Sequence, residues 1–173
     1  MKLVIKVKEI TPDCAPTIYK VGDWLDLRAA QTVKLECPQA TILKKNGDSK
    51  QRRVVFNSTL IPLGVAIKLP KGFEAVVVPR SSTFGKYCIM QSNSMGVIDN
   101  SYSGNDDEWK MPVVAFGNMT INKGTRIAQF RIQPSQKATW WQKLKWLFSS
   151  GIKVVKVKDL NGPSRGGFGS TGD

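Results

Sequence analysis

The chain has 173 residues, with 26 Lys and Arg against 13 Asp and Glu, a formal charge of +13, and no histidine. That length suits one domain burying roughly two-thirds of its unfolded surface, and the basic surplus suits either an anionic ligand or plain solubility. Without imidazole, Ser–His and Cys–His nucleophiles and histidine-ligated zinc are excluded, so any base is a carboxylate, Lys, Tyr or a metal-bound water.

The opening MKLVIKVKEI alternates Lys with aliphatics at period two and predicts a half-exposed strand, not a signal peptide. Short β-branched runs follow at 64–69 (GVAIKL), 75–78 (AVVV), 113–116 (VVAF), 126–132 (RIAQFRI) and 152–157 (IKVVKV). Gly, Pro, Asn or Asp breaks the chain between most of them. Many short strands between turn signals predict an all-β fold, a barrel or jelly-roll-like sandwich. Cys14, Cys37 and Cys88 are odd in number with no C-x-x-C, which predicts buried thiols in a reducing, cytoplasmic compartment. No apolar run approaches the roughly 20 residues of a membrane span.

Two stretches break the pattern. KKNGDSKQRR, 44–53, holds five bases and one acid around Asn-Gly and predicts a basic hairpin tip or mobile loop. TWWQKLKWLF, 139–148, places Trp140, Trp141, Leu144, Leu147 and Phe148 on one face at helical spacing with Trp146 opposite, which predicts a short amphipathic helix. From Lys137 to Lys158 there are six lysines and no acid. Packing on the barrel or a neighbouring subunit is one reading of that helix; membrane-surface or nucleic-acid contact is the other.

NSMGVIDNSYSG, 93–104, sets Asp99 beside Ile98, with Tyr102 three positions later and Gly96 and Gly104 near the ends. Glycines at such positions permit close approach of a ligand or of backbone. The tail LNGPSRGGFGSTGD, 160–173, has five glycines, two hydroxyls close together and one Arg. It reads equally as a flexible terminus or as a cradle for an oligophosphate.

With four other segments, this stretch resembles the five ordered motifs of the trimeric dUTPases. GDWLDLRAA (22–30) is similar to the first motif, PRSSTFGKYCI (79–89) to the second, NSMGVIDNSYSG to the third at every fixed position, KGTRIAQF (123–130) to the fourth and RGGFGSTG (165–172) to the fifth. Departures are Trp24 and Leu25 for the usual Gly-Tyr, Ser82 and Cys88 for Gly, and Thr125 for Asp. Arg165 stands three residues before Phe168, where the family has five, so a two-residue shortening keeps it in register. The segments 44–53, 105–112 and 139–148 look like insertions relative to a minimal family member.

The resemblance implies an all-β distorted jelly-roll or β-barrel over residues 1–158, with the inserted helix, and a flexible arm, 159–173, closing an active site. It implies hydrolysis of dUTP to dUMP and pyrophosphate, Mg²⁺ as cofactor, and a homotrimer whose arms close neighbouring sites. Asp99 would be the general base that activates water, and Tyr102 would lie against the deoxyribose and exclude a 2′-hydroxyl. Asn93, Gly96 and Ile98 would meet uracil. Arg80, Ser81, Ser82 and Gln129 would meet the phosphates, and Asp26 would meet Mg²⁺ through water. Phe168 would stack on uracil while Arg165, Gly169, Ser170 and Thr171 close on the phosphates, the arm being mobile when the site is empty.

Two alternatives share this fold. A dCTP deaminase would need a catalytic Glu three residues before Asn118, where Ala115 stands. A regulatory, dUTPase-like binding protein would use the added basic surfaces to contact protein or nucleic acid.

Overall fold

The computed structural model describes residues 1–18, 22–44 and 50–167. In chain order the strands are β1 (Leu3–Glu9), β2 (Thr17–Ile18), β3 (Leu25–Arg28), β4 (Val33–Leu35), β5 (Gln39–Lys44), β6 (Lys50–Val55), β7 (Ser58–Pro62), β8 (Val65–Lys68) and β9 (Phe73–Pro79). Helix α1 (Thr83–Tyr87) follows, then β10 (Ile89–Gln91), β11 (Gly96–Ile98), β12 (Lys110–Ala115), β13 (Met119–Ile121), β14 (Arg126–Pro134), helix α2 (Trp140–Leu147) and β15 (Ile152–Lys156). Every apolar run named from the sequence is a strand, because β-branched residues at period two fill a pleated surface with one side in the core.

The largest sheet orders its strands β11-β9-β14-β3-β2, and two three-stranded sheets run β15-β1-β8 and β10-β12-β7. The pairs β13-β4 and β5-β6 complete a distorted jelly roll of separate sheets around one core. β1 alternates as predicted, with Leu3, Ile5 and Val7 buried. Its parallel partner is β15, nearly the whole chain away. At the centre Trp109, fully buried, meets Phe130 edge to face at 5.0 Å between ring centroids. Such a pair adds about 0.5–1.5 kcal/mol to the burial of its rings.

The basic segment 44–53 does form a hairpin, with β5 and β6 antiparallel; its tip, 45–49, lies outside the described residues. Three expectations need correction. Only Cys14 is buried; Cys37 and Cys88 are exposed. Cys37 sits in the loop after β4, and Cys88 closes α1 in the left-handed region at φ 47°, where the family's glycine would be unstrained. Helix α1 itself carries too few turns to show in the sequence.

The third concerns only one of the packings expected of α2, that on the barrel. The helix forms where predicted, from Thr139, whose hydroxyl accepts from the Gln142 amide while the Gln142 side chain accepts from the Thr139 amide. Its predicted apolar face does not pack on the sheets: Trp140, Trp141, Leu147 and Phe148 are all more than 60% exposed. The phase of the helix is set by Gln142, which lies over Gly72. A Cβ on Gly72, already at φ +82°, would fall 2.2 Å from the Gln142 side-chain oxygen. With Gln142 seated against the body, Trp140 and Trp141 face outward, while Trp146 stays partly covered beside Arg131. No helix among the described residues is long and apolar enough to cross a membrane.

Candidate active site

Strand β11 pairs with β9 in the register Gly96↔Val77, Val97↔Val76 and Ile98↔Ala75. This pairing presents the hairpin residues Asn93, Gly96 and Ile98 along one wall of a cleft of about 290 Å³. Just past the strand, the chain turns at Asp99, whose Oδ1 accepts from the Ser101 amide at 2.8 Å and from the Ser101 hydroxyl. This local bond is the ordinary behaviour of Asp in a turn, and it also fixes the direction of the second carboxylate oxygen.

Arg165, from the C-terminal segment, aims one guanidinium nitrogen at Asp99, 3.0 Å from Oδ2 and 3.2 Å from Oδ1, and donates also to the Ser101 hydroxyl. Partial burial raises the Asp99 pKa. The Ser101 hydroxyl and amide and then Arg165 outweigh it, leaving the carboxyl below its ordinary value. Tyr102 lines the cleft half-buried, its hydroxyl donating to the Glu108 carbonyl at 2.9 Å. Burial first, then the charges of Asp107 and Glu108, push its pKa up.

The arm is held by a residue the sequence reading did not single out. Asp107 is 1% exposed. Its carboxylate accepts from the Gly104 amide at 2.8 Å, the Ser164 hydroxyl at 3.1 Å, the Arg165 amide at 2.9 Å and the Gly166 amide at 3.1 Å. Burial raises its pKa, and these donors, the Gly104 amide foremost, bring it below the ordinary range. The close approach is possible because residue 104 is glycine: a Cβ there would lie 2.4 Å from the Ser164 Cα. The described part of the arm, to residue 167, therefore lies along this cleft, with Arg165, Gly166 and Gly167 in the lining. Four of the residues expected in the arm, Phe168, Gly169, Ser170 and Thr171, lie outside the described residues.

A second cluster gathers most of the other predicted residues. Asp26 on β3, 5% exposed, pairs with Arg80 Nε at 2.9 Å and with Arg126 Nη1 at 3.0 Å. Gln129 sits opposite Asp26 across the β14–β3 register and opposite Val78 across β14–β9. Arg80 follows the end of β9; Ser81 is exposed and Ser82 half-buried at the start of α1. None of these five lines the cleft that holds Asp99. Val77 on β9 does, three residues before Arg80.

The cleft also contains Gln91 and Trp109, both buried. Gln91 Oε1 and Trp109 Nε1, both buried, have no hydrogen-bond partner among the described residues. Buried polar atoms are rarely left so unless a ligand or solvent meets them. Gln91 was legible in principle, as a polar residue on the inward face of a strand beside Ile89. The acidic pair in NDDEW, within a strongly basic chain, was the trace of Asp107.

A sequence model of the dUTPase family matches residues 48–145. The SPβ prophage-derived deoxyuridine 5′-triphosphate nucleotidohydrolase of Bacillus subtilis strain 168 is 42% identical over 151 residues, 87% of this chain and 84% of that protein. In three dimensions the chain is similar to the dUTPase of Streptococcus mutans, with a TM-score of 0.60 at 19% identity over 78% of this chain and 98% of the other. A dUTPase variant from phage phi11 of S. aureus, described as coordinating a structural Mg(II) ion, aligns with a TM-score of 0.58 at 18% identity over 78% and 93% of the two chains. At such identity the structural matches speak to fold alone.

Proposed function

This chain belongs to the dUTPase family, and from that premise we propose that it hydrolyses dUTP to dUMP and pyrophosphate, limiting uracil in DNA and supplying dUMP. The observation that carries the reading is an ionised carboxylate, Asp99, at a cleft walled by the Asn93–Ile98 hairpin and Tyr102, with an arginine of the C-terminal arm against it. With histidine absent from the whole chain, a carboxylate is the natural base.

In the proposed mechanism, Asp99 accepts a proton from a water as its oxygen bonds to the α-phosphorus. The bond from that phosphorus to the α–β bridging oxygen breaks, and pyrophosphate leaves with the electron pair. While Arg165 is paired with Asp99 the carboxylate is a poor base, its pKa held down in part by that contact. A triphosphate offers the guanidinium more negative charge than one carboxylate does, so binding draws Arg165 to the phosphates and frees Asp99. The Tyr102 ring packs against the deoxyribose and leaves no room for a 2′-hydroxyl. Phe168 stacks on uracil, with Gly169, Ser170 and Thr171 over the phosphates.

Arg80, Ser81, Ser82 and Gln129 receive the phosphate chain in this reading. Their position outside the Asp99 cleft supports a homotrimer in which the cluster of one chain completes the cleft of another. Both Asp26 oxygens already accept from a guanidinium, and each keeps a further lone pair. No group of three His, Cys, Asp or Glu side chains among the described residues is arranged to grip an ion. This donor set fits Mg²⁺ met through the ion's own waters, its preferred mode beside phosphates, with Asp26 as the residue it meets. Bound there, the ion would offset phosphate charge.

Deamination is disfavoured, since Ala115 is 6% exposed at the end of β12 and offers no carboxylate. Steady-state assays with Mg²⁺ on dUTP, dCTP, dTTP and UTP, with products identified, test the proposal. The expected result is dUMP and pyrophosphate from dUTP alone, and no turnover of dUTP would sink it.

A further inference from the structure

We propose that Gln91 determines base specificity by fixing which end of the Asn93 amide faces the cleft, so that the site selects a pyrimidine carrying a 4-oxo group over one carrying a 4-amino group. The inference rests on the reading of this cleft as the site of a pyrimidine deoxynucleotide and assigns the base discrimination within it.

Strand β10 alternates buried, exposed, buried, so Gln91 points inward beside Ile89 and is 3% exposed. Its Nε2 lies 3.3 Å from the Val77 carbonyl and 2.8 Å from Asn93 Oδ1. The Val77 carbonyl is held in place by β9, between β11 and β14, and a carbonyl only accepts. The nitrogen end of the Gln91 amide must therefore be the end facing it. That same nitrogen faces Asn93, so Asn93 must turn its oxygen toward Gln91. The orientation of one side-chain amide is thus transmitted to the next from a fixed backbone group.

With its oxygen turned toward Gln91, the Asn93 amide presents Nδ2, a pure donor, to the cleft that it lines. A 4-oxo group accepts that bond. A 4-amino group sets donor against donor, and polar groups left unpaired in a partly dry site make the rejection steep. Gln91 does not touch the α-phosphate machinery around Asp99, so its effect falls on the choice of base and not on the chemical step. It is a positioning residue acting through Asn93.

Two variants test this, each assayed for kcat and KM on dUTP and on dCTP beside the wild type. Gln91→Met keeps the shape and apolar contacts while releasing Asn93. The dUTP-over-dCTP ratio in kcat/KM should fall by about tenfold or more, with the kcat for dUTP within a few-fold of wild type. Asn93→Asp, at an exposed position, keeps an acceptor for Gln91 and presents a second acceptor to the cleft. It should move the ratio further toward dCTP. A merely structural role for Gln91 would lower both nucleotides together and leave the ratio alone. If Gln91→Met does not fold, Gln91→Leu, which also lacks the amide, takes its place. An unchanged ratio in the folded variants overturns the inference while leaving dUTP hydrolysis standing. A wild type that ignores dUTP overturns the functional reading itself.

Discussion

Arg165 Nη1 lies 3.0 Å from Asp99 Oδ2, so the carboxylate proposed as the base is held by a cation from the C-terminal arm. Because this contact is among the influences that lower the Asp99 pKa, removing it has a defined sign. In Arg165→Ala the Asp99 pKa rises, and the acid limb of the kcat/KM profile, which reports the free enzyme, moves to higher pH. The same change should raise KM for dUTP, because the guanidinium is proposed to meet the phosphates. A pH–rate series on both proteins checks it, and an unmoved acid limb contradicts the pairing.

Asp99→Asn removes the base and leaves the shape. A loss of about 10²–10⁴ in kcat is expected, with affinity for a non-hydrolysable dUTP analogue changed only a few-fold. Pre-steady-state turnover beside calorimetric binding separates the two, and turnover near wild type would refute the assignment of Asp99.

Asp107 ties the arm to the body through three donors of the arm, the Ser164 hydroxyl and the Arg165 and Gly166 amides. Its folded pKa lies below the ordinary carboxylate value, which is about 3.9, so between the two values the unfolded chain binds more protons and stability rises with pH. The stabilisation is complete above about pH 4 and is lost as pH falls through the lowered value. Asp107→Asn should cost about 1–3 kcal/mol and abolish that dependence. Hydrogen exchange at residues 164–166 should quicken in the variant, and unchanged protection would show that the arm is held by something else.

Gly104→Ala places a methyl 2.4 Å from the Ser164 Cα, against backbone that cannot rotate away. The arm must shift, at a cost of about 1–3 kcal/mol. Activity should fall more than melting temperature does, since the clash is with the arm and not with the Trp109–Phe130 core. Thermal melts and kcat/KM measured on one preparation check the split.

Asp26→Ala leaves the Arg80 and Arg126 guanidinium groups without their shared carboxylate. Both arginines keep some contact with solvent, so the expected loss of stability is about 1–3 kcal/mol, below that of a fully buried pair. Urea denaturation at constant m-value measures it, and the Mg²⁺ concentration needed for half-maximal turnover should rise in the same variant.

Local chemistry made much of this protein legible from its sequence. Period-two alternation at Leu3, Ile5 and Val7 specified a strand with one wet side. The apolar spacing over 139–148 specified a helix. The spacing of Asp99, Tyr102 and Gly104 specified a turn that presents a carboxylate, because turn geometry depends on a few neighbouring residues.

What depended on distant partners could not be read this way. The parallel pairing of β1 with β15, the three arm donors gathered on Asp107 and the contact of Gln91 with the Val77 carbonyl each join segments that are not neighbours in sequence. No local spacing encodes them. The outward Trp140 and Trp141 of α2 show the same limit: periodicity gave the apolar face, but the seat of Gln142 on Gly72 decided which way the helix turned. Tertiary structure alone also split the predicted site in two, since the β3–β14–β9 register carries Asp26, Arg80 and Gln129 away from the cleft of Asp99.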